Sequence, residues 1–234
     1  MKAIYRRELR AYFTGPIGYI FCAIFVFLCN FSFYSTNLVN YISDFSPTFN
    51  LMMLFLMVLV PLMTMRLWSE ERRQKTDQLL LTAPVTTTGV VMGKFLSALT
   101  VFLISLAFTL IYPVLVAMRG TPDFGRIIGN YIGIILAASA YIAISLFISS
   151  LTKSQIVAAI FSMLALLAFQ LMDIVAGMVT STAVAGVLGF LSMITRFFNI
   201  FRGIFALSDI LYFISLTVIF LFLTSRVIEK QRWS

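Results

Sequence analysis

The chain has 234 residues, of which 61% are hydrophobic and 11% are charged, and its formal net charge is +8. A soluble domain carries about 25% charged residues, so this composition excludes an ordinary soluble protein. The absence of histidine removes the commonest metal ligand and general base. The positive charge needs no nucleic-acid partner, because basic residues also set the orientation of membrane proteins.

Residues 1–14 predict an amphipathic helix at the membrane surface. Tyr5, Leu9, Tyr12 and Phe13 recur at helical spacing, and basic residues occupy the other faces. Such a helix is either a lipid-surface anchor or an elbow that also contacts a partner, and the sequence favours neither alternative.

Six apolar stretches are long enough to cross a membrane as helices. At about 1.5 Å per residue, a helix needs about 20 apolar residues to cross about 30 Å of hydrocarbon. The stretches are residues 17–36, 48–67, 89–113, 127–150, 155–175 and 208–226. They are continuous runs, unlike the short alternating strands of a membrane barrel. We therefore predict an all-α polytopic protein with six transmembrane helices that form a single domain over residues 1–234.

The basic residues predict the orientation of these helices. With six spans and a cytoplasmic N-terminus, the outer side keeps only Arg119, Arg126, Arg196 and Arg202, and the larger basic set lies inside. This distribution follows the positive-inside rule. We therefore expect both termini to be cytoplasmic.

The second span is followed by a compact polar segment, residues 68–86. Glu70 with Arg73 and Glu71 with Lys75 have the spacing of ion pairs on one helix face. Thr76 is a potential helix cap, three leucines from Leu79 to Leu81 form an apolar ridge, and Pro84 ends the helix. The segment is either a juxtamembrane helix in contact with water and headgroups, or a helix that inserts into a groove on a partner.

One short run invites comparison with a phosphate-binding loop. Gly89 to Lys94 has one residue too few between its glycines, lacks Ser or Thr after the lysine, and leads into a span instead of following a strand. We therefore exclude a nucleotide site here. Gly89 and Gly93 fit close helix packing, and we expect Lys94 to reach back to the cytoplasmic headgroups.

Two further features shape the spans. Pro61 is expected to bend the second one. Gly125, Gly129, Gly133 and Ala137 place small residues on one side of the fourth, which permits close packing within the subunit or between subunits.

The apolar region 174–207 contains several glycines and arginines, and a seventh full span would move the basic C-terminus outside. We expect outer re-entrant or interfacial helices there. Just before it, Asp173 is expected at the outer interface, where a role as an interfacial cap is favoured over a substrate contact.

The polar segment resembles the signature of type-2 ABC transporter permeases, in which acidic-arginine pairs, a leucine run and a Thr-x-Pro step follow the second span. The matching residues are Glu70, Glu71, Arg72, Arg73, Thr76, Leu79, Leu80, Leu81, Thr82, Pro84, Val85 and Thr86. Lys75 stands where the signature has Gly, and Gln78 where it has Glu. Arg7-Glu8-Leu9, Arg202-Gly203 and the basic, Trp-containing C-terminus are similar to the branch of gliding-motility and copper-maturation permeases.

The resemblance implies the permease subunit of an ATP-driven exporter in a bacterial plasma (inner) membrane. The chain would pair with a second permease, as a homodimer or heterodimer, and with two copies of a separate cytoplasmic ATPase. That ATPase would bind the ATP and Mg, so the chain itself would be no enzyme and would hold no cofactor. Residues 68–86 would form the coupling segment on the ATPase. The alternative is a non-transporting membrane subunit that anchors a cytoplasmic ATPase.

Overall fold

The computed structural model describes residues 1–40, 44–73, 86–118, 123–179, 182–201 and 206–232, and this part of the protein is almost entirely helical. The helices in chain order are α1 (Lys2–Thr14), α2 (Pro16–Phe33), α3 (Ser46–Thr64), α4 (Arg66–Arg73), α5 (Thr87–Ala107), α6 (Ile111–Ala117), α7 (Phe124–Leu151), α8 (Gln155–Met178), α9 (Thr182–Leu191), α10 (Met193–Phe201) and α11 (Leu207–Arg232). A π-helical turn, Tyr34–Leu38, extends α2, and a 3-10 turn, Phe108–Leu110, joins α5 to α6.

Six helical stretches are long and apolar enough to cross a membrane, which confirms the predicted fold class. They are Pro16–Leu38, Ser46–Arg73, Thr87–Ala117, Phe124–Leu151, Gln155–Met178 and Leu207–Gln231. Each contains the stretch predicted from the sequence and extends beyond it. The largest extension is at the end of the second span, where α4 continues the helix to Arg73.

Helix α7 lies at the centre of the bundle and packs against α3, α4, α5, α8, α10 and α11. In its most apolar stretch 67% of the residues are buried, against 22% in α8. Small residues allow this close approach: a Cβ atom on Gly133 would lie 2.8 Å from Ile200 Cγ2 on α10. Helix α8 is therefore peripheral, and α7 is the scaffold that positions the rest.

The second span is interrupted near its predicted bend. Helix α3 runs through Pro61 and ends at Thr64, and α4 begins after Met65. Side chains from other helices satisfy the carbonyl groups at this break: Tyr12 Oη donates to Met63 O at 3.1 Å, and Ser149 Oγ donates to Met65 O at 2.9 Å. The interruption is thus fixed by α1 on one side and α7 on the other.

Helix α1 and the last turns of α11 lie at one end of the bundle, which we call the basic end. Arg72 of α4 and Gln231 of α11 both donate to Ser150 O at the end of α7, at 2.6 and 3.5 Å. Helix α1 lies at the same end, packed on α5 and α2. Its Tyr12 is fully buried and Ile4 nearly so, so the apolar side of this amphipathic helix contacts protein.

Two short helices, α9 and α10, occupy the opposite end where the sequence predicted re-entrant or interfacial helices. Arg196 of α10 pairs with Asp209 of α11 at 3.2 Å and stacks on Phe190 and Tyr212. Asp173, predicted to be an interfacial cap, accepts a hydrogen bond from Thr195 at 2.9 Å. These contacts attach α10 to the ends of α8 and α11.

Candidate coupling site at the basic end

Four of the predicted coupling residues lie in the last turns of α4. They are Glu70, Glu71, Arg72 and Arg73. The other six lie outside the described residues: Thr76, Leu79, Leu80, Leu81, Thr82 and Pro84. The structure therefore shows the base of the predicted coupling segment, and residues 74–85 continue directly from it.

Helix α4 is held firmly against the bundle. Its first turns bury Leu67 and Trp68. The backbone N–H of Trp68 donates to Ser149 Oγ of α7 at 3.4 Å. One turn later the Arg72 guanidinium donates to Ser150 O, an acceptor near the C-terminus of α7, where the helix dipole favours a cation. Arg73, the next residue, is exposed.

Lys94 connects this helix to its neighbours. Its side chain is 0% exposed, although it lies about 10 Å along α5 from the helix start. The ammonium donates to Leu67 O at 2.6 Å and to Glu8 Oε1 at 3.1 Å, and it lies 2.9 Å from Glu71 Oε2. It also sits 4.9 Å from the ring centre of Trp68. Two hydrogen bonds and two carboxylates within ion-pair distance explain how the charge tolerates burial.

Arg7 completes a cluster of two cations and two carboxylates. Its guanidinium contacts both Glu8 and Glu71 while remaining partly exposed. We call Arg7, Glu8, Glu71 and Lys94 the charge cluster. Its formal charges cancel, and its members come from α1, α4 and α5, so it joins three separate parts of the chain.

The cluster shifts the pKa values of Glu8 and Arg7, its two members on α1. Burial by itself would raise the pKa of Glu8, but Lys94 and Arg7 outweigh that effect and lower it. For Arg7, burial works in the opposite direction from its two carboxylate partners, and the partners prevail, so its pKa is raised. Both groups are therefore held in their charged forms at neutral pH.

The prediction for Lys94 was wrong. A lysine near the end of a span was expected to extend toward headgroups, but this one points between α1 and α4 and is fully buried. The structure also gives the residues of the rejected phosphate loop other partners. Gly89 lies in the first turn of α5, where its N–H donates to Thr86 Oγ1, and the Lys94 ammonium is already surrounded by protein oxygens.

The charge cluster was not predicted, although the sequence contains signals for it. Glu8 is the only acidic residue before Asp44, and it lies in a helix that is otherwise basic. Lys94 is the only charged residue between Asp77 and Arg119. A lone acid on a basic helix and a lone cation in an apolar span are natural partners, because neither is stable when buried alone.

The four small residues of α7 occupy different environments. Gly129, Gly133 and Ala137 are buried, whereas Gly125 is exposed in the first turn, where its N–H is capped by Asp123 at 3.1 Å. Ile200 and Phe201 of α10 lie against Gly133. No group of three His, Cys, Asp or Glu side chains that could hold a metal ion is found among the residues with described positions.

A sequence model of the family described as "ABC-2 family transporter protein" matches residues 2–234. No curated protein and no solved structure matches the chain.

Proposed function

Because the chain belongs to the ABC-2 family of transporter proteins, we propose that it couples ATP hydrolysis by a separate ATPase to the export of a substrate. Membership of this family and the six apolar helices make it a multi-pass permease subunit of an ABC transporter. A separate ATPase would drive this permease through a contact with the chain. That ATPase would bind the ATP and Mg, and this chain would have no catalytic role.

The observation that carries the proposal is the anchoring of α4. This charged helix leaves the second span, is fixed to α7 through Arg72 and to α5 through Glu71, and ends at the exposed Arg73. A segment that receives force from a partner needs such a base, because a loosely attached one would bend without moving the spans. We therefore assign ATPase contact to residues 70–84, with Leu79, Leu80 and Leu81 as its apolar ridge.

The charge distribution supports a cytoplasmic basic end. Exposed cations at this end include Lys2, Arg6, Arg10, Arg73 and Lys153. Cytoplasmic loops carry an excess of Lys and Arg, so we place both termini and residues 68–86 in the cytoplasm of a bacterial cell. By the same resemblance, we propose two such permeases and two ATPases per complex, and a relation to the gliding-motility and copper-maturation branch.

Affinity purification from native membranes tests this assignment. We expect a soluble ATPase to copurify with the wild-type chain. Leu80→Asp should reduce the recovered ATPase at least tenfold, because an unpaired carboxylate in an apolar interface costs several kcal/mol. Leu80→Met is the matched control and should recover the wild-type amount. Equal recovery with both variants would refute the role of the ridge.

Reconstitution separates export from anchoring. The purified complex should move substrate only with ATP. A complex that binds the ATPase but shows no ATP-dependent substrate movement would instead identify the chain as an anchoring subunit.

A further inference from the structure

The charge cluster brings together three helices with different positions in the chain. Glu8 and Arg7 come from α1, Glu71 from α4, and Lys94 from α5. Lys94 is fully buried at this junction, where it donates to Glu8 and to Leu67 O and forms an ion pair with Glu71. Pulling any of the three helices away would take at least one ion-pair partner from a buried charge, which is unfavourable.

Apolar and neutral contacts reinforce the joint between α1 and α5. A Cβ atom on Gly93 would lie 3.0 Å from Ile4 Cγ2, so the two helices touch closely at this point. Tyr5 is the residue after Ile4, and its Oη shares a hydrogen bond of 3.1 Å with Thr100 Oγ1, about two turns after Gly93 on α5. The α1–α5 joint therefore extends well beyond the charged groups.

The other end of α1 is joined to the second span. Arg66 donates to Ala11 O at 3.2 Å and lies 4.9 Å above the ring of Tyr12. The Tyr12 hydroxyl reaches Met63 O, on the far side of the break between α3 and α4. Helix α1 thus spans the gap from the base of the second span to the start of the third.

We propose that α1, α4 and the first half of α5 move as one rigid unit during the transport cycle, with Lys94 as the residue that positions them. The inference rests on the proposed function, because it concerns how motion of residues 74–85 spreads into the membrane. A partner that moves this segment would carry α1 and the third span with it. Helix α1 then transmits motion within the permease and is more than a lipid anchor.

A disulfide between α1 and α5 tests the rigid unit. In a background with Cys22→Ala and Cys29→Ala, we would introduce Ile4→Cys and Gly93→Cys. The Cβ positions are 3.2 Å apart, close to the roughly 3.5–4.5 Å of natural disulfides. The readout is ATP hydrolysis by the permease–ATPase complex in lipid nanodiscs, before and after a membrane-permeant oxidant.

The rigid unit predicts that the disulfide forms and that hydrolysis stays within about twofold of the reduced rate. A larger loss that a reductant reverses would show that α1 must slide over α5, and failure to crosslink would show that the helices separate. Either result overturns the inference. Ile4→Cys alone, oxidised in parallel, controls for other effects of the oxidant. A parent complex without bound ATPase would count against the proposed function instead.

A rescue experiment tests the part played by the charges. Glu8→Gln in the reduced cysteine pair should lower hydrolysis at least fivefold, and oxidation should restore it to within about twofold of the same pair with Glu8 intact. The amount of bound ATPase and the size-exclusion profile should be unchanged throughout. A loss that the disulfide does not repair, or no loss at all, would show that the ion pair does not act by joining α1 to α5.

Discussion

Lys94 and Glu71 form an ion pair of 2.9 Å across the base of the predicted coupling segment. Glu71 lies just before residues 74–85 and Lys94 shortly after them, so the pair links the two helices that precede and follow this segment. Glu8 adds α1 to the same contact. The place where a partner is expected to act is therefore tied to the second span, the third span and the N-terminal helix together.

Removing Lys94 alone should be more harmful than removing it together with the charges of Glu8 and Glu71. Lys94→Met takes from these two carboxylates the buried cation that they share and leaves them to repel each other, and breaking such buried pairs costs about 3 kcal/mol. The triple variant Glu8→Gln, Glu71→Gln, Lys94→Met removes the repulsion and should recover much of the loss. Thermal unfolding in detergent measures both. A triple variant no more stable than Lys94→Met would contradict this explanation.

The contribution of Glu8 should depend on pH with a definite sign. Because its native pKa lies below the ordinary value of 4.5, folding favours the ionised form, and this stabilisation is present above pH 4.5. It is lost as the pH falls through the lowered native pKa.

We therefore expect the melting temperature of the wild type to exceed that of Glu8→Gln at neutral pH, and this difference to narrow only below pH 4.5. Glu229→Gln is the control. Because Glu229 pairs with Arg226 at an exposed position, this variant should melt at almost the wild-type temperature. A difference between wild type and Glu8→Gln that stays constant through acid pH would contradict a lowered pKa for Glu8.

Gly133 should tolerate no side chain. The added Cβ of Gly133→Ala would meet Ile200 Cγ2 at 2.8 Å, and a β-branched neighbour has little freedom to move. We expect a loss of about 1–3 kcal/mol, measured by thermal unfolding. Gly177→Ala is the matched control, because nothing lies within 4 Å of its added Cβ and alanine favours a helix. Equal effects at both sites would mean that α10 does not pack on Gly133.

Two arginines with similar partners, one at each end of the bundle, allow a test of how burial affects an ion pair. Arg196 pairs with Asp209 and stacks on Phe190, and Arg226 pairs with Glu229 and stacks on Phe222. The side chain of Arg196 is 14% exposed and that of Arg226 is 62% exposed. Arg196→Met should cost about 3 kcal/mol, because it leaves a buried carboxylate unpaired.

Arg226→Met should cost at most about 0.5 kcal/mol, as is usual for exposed ion pairs. The measurement is the difference in melting temperature between each variant and wild type. Equal losses would show that Asp209 does not depend on Arg196.

The spans were predictable because the local composition of a segment decides whether it can cross a membrane. Twenty apolar residues in a row mark a span wherever the neighbouring helices lie, and each predicted range falls within an observed one. The small residues of α7 could also be found, since their spacing is local. Their surroundings could not, because Gly133 meets Ile200, a residue of α10 that lies far along the chain.

The charge cluster could not be predicted from local spacing. Pairing rules within a helix led from Glu71 to Lys75, which lies outside the described residues. They did not lead to Lys94 and Arg7, with which the structure pairs Glu71. That choice depends on how α1 packs on α5, which is a tertiary contact. Lys94 was misplaced for the same reason: the tendency of lysine to reach the interface applies to side chains that face lipid, and Lys94 faces protein.

The decisive measurement is ATP hydrolysis by the chain in lipid nanodiscs, with and without the ATPase that copurifies from native membranes. We expect no hydrolysis by the chain alone. We also expect the chain to change the rate of the ATPase, and Leu80→Asp to abolish this change while Leu80→Met preserves it. Hydrolysis by the solitary chain, or an ATPase whose rate is the same with and without it, would refute a permease that is driven by a separate ATPase.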